Sequence, residues 1–492
     1  MSDTYMHGTY GTTQAVGTKV AQDSQSAIVY VGTAPVHLTA NGAELVNKPV
    51  VVYNMAEARR YFGYSDDWAK YTLCEAMDMH FEHNGVGPLV LINVLDPAKH
   101  KSAEVGSVSL TPENGRIIIA NAEDIILSSV KAGEMTAGTD YTIAYDQAKK
   151  VIILTEMTKG GLGASAVSIT YDSVDAAQAD AASVIGESDG EGLNTGLFAI
   201  RNVYQETGYI PSFLVAPGFS EMPEVHGAMA EVSRKINSHW DAYMMTDMPI
   251  TNDGTPMTLS SANAWKKANG YNRENETVSF PIVQGGNGKK YHLSTLRAAA
   301  LQQLLLENEG IPFRSPSNTE CSVIENLYLG EGNNGRVFDD ELINEKLNKH
   351  GIASAAYVGG RWALWGAHSA DYSQTEADSI NVAETNRMML YYICNDFQHR
   401  RMGDVDKSMT PNDIASIIAE EQRRLDALVQ MGALTYGEVL LDAELDNESD
   451  IMMGDFQFAF RITTTPLAKS LTANVYWTSE GYKTYFASFE AA

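Results

Sequence analysis

PSFLVAPGFSEMPEVHGAMAEVSRKINSHWDAYMMTDMP, residues 211–249, sets one amphipathic stretch between two apolar runs. Phe213 to Ala216 is a short apolar run of the kind a buried strand requires. Pro217-Gly218 breaks it, and Ser220 and Pro223 supply a capping oxygen and a preset φ for a helix start. Val225, Met229, Val232 and Ile236 recur at spacings of three and four, which predicts a one-faced helix of about four turns. A second apolar run, Ala242 to Met245, precedes Asp247-Met248-Pro249. Strand, helix and strand with short connections form a right-handed crossover, and such a unit needs a parallel sheet around it.

The rest of the chain must supply that sheet. Its 492 residues exceed one ordinary core, so about two to four domains are expected. Hydrophobic content of 44% with 20% charged residues describes a folded, soluble chain. No run reaches the roughly 18 apolar residues of a membrane span, and the opening MSDTYMHGTYGTTQAVGT lacks the basic and apolar regions of a signal peptide. Cys74, Cys321 and Cys394 are odd in number and far apart, which fits a reducing compartment and neither a disulfide framework nor a metal cluster. With 35 basic against 62 acidic residues the net charge is −27, which argues against nucleic acid as a partner, because backbone binding needs clustered positive charge.

Residues 1 to about 24 hold few core-sized side chains and read as an arm. AIVYVGTA after Ser26, Val50–Tyr53 and Pro88–Val94 read as strands, with helices over Met55–Phe62 and about Trp68–His83. Between about His100 and Gly186 the pattern becomes six short strands: Val108–Thr111, Arg116–Ala120, Asp124–Val130, Tyr141–Tyr145, Val151–Thr155 and Val167–Tyr171. That spacing predicts a small β-sandwich or barrel inserted into the α/β domain. Beyond the crossover, Leu293–Asn308 reads as a helix with Leu296, Ala300 and Leu304 on its apolar face. The last third opens on a helix over about Ser379–Arg400, followed by one marked by Thr410-Pro411-Asn412-Asp413 and running to Gly432. Phe456–Ile462, Leu471–Trp477 and Tyr482–Phe489 alternate as strands, so two helices on a small antiparallel sheet are expected.

Several of these stretches, in this order, resemble the sheath proteins of contractile tails: GTA, NKPVVV, FG, PLVLINVLDP, FLVAPGFS with DMP, the SPSN turn at Ser315–Asn318, and the WG exit at Trp365-Gly366. From Gly366 the sequence reads Gly-Ala-His where many relatives have Gly-Asn-Arg, so no role is carried onto those positions. The resemblance implies an α/β middle domain sometimes labelled subtilisin-like, an inserted β-sandwich, a C-terminal α+β domain and two extended arms. The boundaries are 1–25 for the first arm, 26–100 with 187–370 for the middle domain, 101–186 for the insertion, 371–478 for the C-terminal domain and 479–492 for the second arm.

It also implies a function. Subunits of the family stack as sixfold rings around a tail tube, contract, and drive the tube through an envelope without bond chemistry. Expected partners are further copies of the chain, the tube protein, and baseplate and terminator proteins, with no cofactor and no insertion into a membrane. Assembly is expected in the host bacterial cytoplasm, and the product is a virion tail or a tail-like particle. The alternatives are the sheath of a secretion machine recycled by an ATPase, and an α/β hydrolase.

Three motifs bear on catalysis. Gly285-Gly286-Asn287-Gly288-Lys289-Lys290 lacks both the upstream glycine and the Ser or Thr of a phosphate loop, and reads as a glycine turn. His80 and His83 in HFEH lie one turn apart but lack the zincin spacing and its glutamate, and read as histidines on a helix surface. No Gly-x-Ser-x-Gly elbow is present, and Ser315 and Ser317 sit in a turn flanked by proline.

Strand exchange between subunits is expected to use Tyr10 and Val16 in the first arm. At the other end it is expected to use Phe456, Phe458, Phe460, Val475, Trp477, Tyr482, Tyr485, Phe486 and Phe489, because an exposed strand aggregates unless another chain uses it. Tube-facing candidates are Arg400 and Arg401 at the end of one helix, and Glu420, Glu421, Arg423 and Arg424 on the outward face of the next.

Overall fold

A computed structural model describes residues 19–20, 26–330, 337–374, 379–441 and 448–483. Packing divides the chain into two units, Met1–Ser408 and Met409–Ala492. In the first, β1 (Ser26–Gly32), β2 (Pro49–Val52) and β3 (Leu89–Asn93) join β10 (Ile210–Val215), β11 (Tyr243–Asp247), β12 (Glu276–Ser279), β16 (Ile352–Val358) and β17 (Arg361–Trp365) in one eight-stranded sheet. Its order is β17-β16-β12-β11-β10-β1-β3-β2, with the two edge strands antiparallel and the rest parallel.

Alternate side chains of the central strands feed two cores. Ile28, Tyr30, Phe213, Val215, Tyr243 and Met245 pack with the buried face of α5 (Leu293–Glu307). Val29, Val31, Leu214 and Met244 pack with Val225, Met229 and Val232 of α3 (Pro223–Val232). The 211–249 stretch therefore folds as a crossover, with Phe213 beside Tyr243 and Leu214 beside Met244 in parallel register.

The helix is shorter than its periodicity predicts. It stops at Val232, and Lys235, Asn237 and Ser238 take positive φ. Asp241 accepts from the Lys235 backbone N–H at 3.1 Å and from its Nζ at 2.7 Å. The Ile236 N–H meets the Trp240 carbonyl at 2.7 Å, so Ile236 and Trp240 turn inward together and both are buried. The expected Trp68–His83 helix is shortened as well: α2 spans Leu73–Met77 and widens into a π-turn over Asp78–His83.

Between β3 and β10 the chain forms two three-stranded sheets. The first takes β5 (Arg116–Ile119), β8 (Val151–Glu156) and β7 (Tyr141–Asp146), and the second β4 (Gly106–Leu110), β9 (Val167–Tyr171) and β6 (Lys131–Ala132). Ile117, Ile119, Tyr141, Ile152, Leu154 and Ile169 build a core of their own between them. Asp124–Val130, read as a strand, is a docking loop instead. Asp124 accepts from Lys70 Nζ at 3.1 Å and Tyr71 Oη at 3.2 Å, Glu123 carbonyl meets His37 Nε2 at 2.8 Å, and Ile126 joins the core of the larger domain. The return stretch also belongs to that domain, since Val184 packs in the core beneath α3.

A helix expected to open the C-terminal domain is bolted to the first unit. In α7 (Glu384–Arg401), Glu384 pairs with Arg297 of α5 at 2.7 Å with both side chains fully buried, and accepts from Thr277 at 2.6 Å and Ser315 at 2.5 Å. Farther along, Asn395 bonds both backbone groups of Asp241, at 3.0 and 2.9 Å. These contacts move the boundary from 371 to the residues after Ser408.

Candidate assembly surface

The second unit starts at α8 (Pro411–Met431), whose first turn is closed by Thr410 and Asp413 in a reciprocal capping box. Ile417, Glu421, Leu425 and Leu428 form its buried stripe. Glu421, read as part of the outward face, therefore lies in the stripe that β18 (Leu434–Leu441) covers. Glu420, Arg423 and Arg424 do lie on the exposed side.

Strand β18 was absent from the sequence reading. It pairs antiparallel with β19 (Phe458–Thr464), Val439 opposite Phe460 and Leu441 opposite Phe458. Gln422 of α8 meets the strand's outer edge twice: its Nε2 donates to Gly437 carbonyl at 3.0 Å, and its Oε1 accepts from Val439 N–H at 2.9 Å. Phe456, Phe458 and Phe460 are half-buried.

After β19 the chain runs without regular structure from Thr465 to Thr478. The expected strand over Leu471–Trp477 is missing, and none of the described residues covers it: Leu471 and Val475 are each 91% exposed and Trp477 is 80% exposed. Tyr482 sits on a helical turn instead of a strand, where Thr478 Oγ1 accepts from Glu480 N–H at 3.2 Å and Ser479 carbonyl from Tyr482 N–H at 3.0 Å. Trp477, Thr478, Gly481 and Tyr482 line a notch of about 260 Å3. Tyr10, Val16, Tyr485, Phe486 and Phe489 lie outside the described residues. Within the first arm, Lys19–Val20 pairs parallel with Val86–Gly87 of the same chain.

Arg400 and Arg401 belong to the first unit, and both are engaged there: Arg400 with Asp396 at 3.0 Å, Arg401 with Asp404 at 3.3 Å. No helix among the described residues is long and apolar enough to cross a membrane, and no group of three or more His, Cys, Asp or Glu among them could hold a metal ion.

The motifs weighed for chemistry have structural partners. His80 is fully buried, not on a helix surface; it meets Tyr30 Oη at 2.8 Å, and burial lowers its pKa to about 3. His83 faces Asp78 at 3.2 Å. The glycine-rich run turns the hairpin between β13 (Ile282–Gly285) and β14 (Lys290–Tyr291), with Lys289 Nζ 4.3 Å from the Trp68 ring. Ser315 holds Glu384, while Ser317 Oγ accepts from Gly366 N–H at 3.0 Å, which ties the SPSN turn to the WG exit. At the start of α5, His292 Nδ1 lies 2.7 Å from Glu75, and Ser294 donates from its N–H and Oγ to Asp247. Burial works to lower the His292 pKa, but Glu75, Asp247 and Glu221 outweigh it and raise it to about 10.

No family model matches the chain. The tail sheath protein of Burkholderia phage BcepMu is 25% identical to it over 98% of each chain. This chain is similar to a tail sheath protein from end to end. The major tail sheath protein of Serratia phage KSP20 is 21% identical over 65% of this chain and 76% of its own length. Among solved structures, a chain of the anti-feeding prophage baseplate has the same fold, with a TM-score of 0.57 at 13% identity over 96% of this chain and 99% of that one. A chain of the sheath complex of an extracellular contractile injection system, PVC, in its contracted state gives a TM-score of 0.55 at 11% identity over 98% and 100%. The sheath resemblance carried by FLVAPGFS, SPSN and WG thus agrees with both kinds of comparison.

Proposed function

We propose that this chain is the structural subunit of a contractile tail sheath. The observation that carries the reading is similarity to a tail sheath protein over 98% of both chains. Subunits stack as sixfold rings around a tail tube and contract by exchanging one set of interfaces for another, so the work comes from stored conformational energy and the subunit breaks no bonds. The product is the tail of a virion or a phage tail-like particle, assembled in the host cytoplasm with tube, baseplate and terminator proteins.

Neighbouring subunits are joined by strands from their ends. An apolar segment that none of the described residues covers, Leu471 to Trp477, supports this. So does the two-stranded form of the β18–β19 sheet, since strand addition works on short sheets of this kind. Glu420, Arg423 and Arg424 are the charged groups offered to the tube, and the inserted β domain lies on the outside of the sheath.

Negative-stain microscopy of the purified chain tests the reading. Rings or tubes are expected as concentration rises. Compact single particles at every concentration and salt would overturn it.

A further inference from the structure

Two surfaces of opposite charge stand apart on the first unit. One forms where the C-terminal ends of α4 (Leu259–Ala268) and α6 (Asp340–Lys346) converge. Lys266 of α4 is buried and donates to the His350 carbonyl at 2.6 Å, which draws the two ends together. Lys267, Lys346, Lys349 and His350 surround that joint, and Glu345 answers Lys349 at 2.6 Å. A positive side chain suits a helix C-terminus taken singly, but these are crowded. Burial lowers the His350 pKa, and Lys349, Lys267 and Lys266 lower it further. In a chain of net charge −27, such a positive surface is fitted to an anionic partner.

The other surface is the tight loop Glu187–Thr195. Asp189 accepts from the N–H groups of Glu191 and Leu193 at 2.8 and 3.0 Å, and Thr195 Oγ1 accepts from Glu187 N–H at 2.9 Å. The tip so fixed exposes Glu187 and Glu191, with Leu193 beside them 67% exposed. Neither glutamate meets a cation among the described residues, and Arg201 reaches Ser188 Oγ, at 3.3 Å, instead of a carboxylate. Loop and lysines lie toward opposite ends of the eight-stranded sheet. α6 packs on β16, whereas the turn that continues the loop, Gly196–Asn202, packs on β1, β2 and β3. At least four strand spacings, about 19 Å, separate β16 from those strands, against a Debye length of about 8 Å in physiological salt. The two charges therefore do not neutralise each other within one subunit.

We infer that the acidic loop of one subunit docks on the α4–α6 lysines of a second copy. The inference rests on the sheath reading and deepens it, because it names a contact between first units that involves neither chain end. The occupant is a second copy because the complementary charge stands at the far end of the same sheet, the placement a head-to-tail contact needs. Repeated, such a contact closes a ring or continues as a helix. Opposite charges steer the approach and set its orientation, and the lysine stems cover Leu193.

Charge reversal in the full-length chain tests it. Lys267→Glu with Lys346→Glu, and separately Glu187→Lys with Glu191→Lys, should each raise the concentration at which tubes appear by about tenfold, the strength of two exposed ion pairs. Mixing the two reversed chains in equal amounts should restore the parent's onset, and so should all four changes in one chain. A variant that had merely misfolded would not be rescued by its mixing partner, and the melting curve of each monomer should match the parent's. Reversed chains that assemble like the parent overturn the contact and leave the sheath reading standing. A loss that neither mixing nor the fourfold change repairs does the same. A parent chain that never assembles overturns both.

Discussion

Glu384 begins α7 and ends in a fully buried ion pair with Arg297, with Thr277 and Ser315 donating to the same carboxylate. Removing one partner strands the other charge in the core, which costs about 3–5 kcal/mol, whereas replacing both by apolar groups of similar size is close to neutral. Glu384→Gln should therefore lower the urea midpoint of the monomer sharply, and Glu384→Met with Arg297→Leu should restore most of it. His292 offers a second measurement. Its pKa stands at about 10 in the fold, against the ordinary 6.5, because Glu75 and its acidic neighbours outweigh burial. A raised pKa stabilises fully below 6.5 and loses that stabilisation as pH climbs through 10, a change on the order of a few kcal/mol. Stability measured across that window should fall in the parent and fall less in His292→Gln. Neither side chain announces itself in the sequence. SPSN is legible as a motif, but that its first serine holds a glutamate 69 positions later depends on which helix comes to lie beside it.

Elements were legible where one periodicity dominates. The crossover at 211–249 could be read because strand and helix each keep their own period and glycine and proline mark the joints. The helix ended early because tertiary contacts of Asp241 and Trp240 outweigh a continuing apolar repeat. Strand β18 was hidden because a bulge between Leu434 and Tyr436 breaks the alternation, and a Cβ on Gly437 would come within 2.8 Å of Leu425. The two three-stranded sheets between β3 and β10 coincide with a break in the sequence pattern, but where their ends meet is not visible there. Lys101 and Val174 pair as an isolated bridge, so their backbones already lie side by side. Joining them directly through a short glycine–serine linker, without residues 102–173, should leave a folded subunit that still forms tubes. Folded subunits that have lost all assembly would show that the insertion belongs to the sheath wall.

At the scale of the molecule, the buried hydrophobic residues described run from Ala27 to Val439, and both chain ends fall beyond them. Deleting residues 1–20, or everything after Ser479, should leave a monomer with the parent's melting temperature that forms no tubes, as read by sedimentation and microscopy. Tubes that assemble and contract after either deletion would remove that end from the strand exchange. The formal charge of −27 gives such a monomer a long-range repulsion from its copies until specific contacts overcome it. The amide of Gln422 bears on what happens next. Its two hydrogen bonds consume the outward-facing N–H of Val439 and carbonyl of Gly437. An uncovered strand edge is a template on which stray segments pair, and a protein made in many copies could then branch into tangled fibrils. At Gly437 and Val439 a side chain from the same unit has taken the place that such a segment would need.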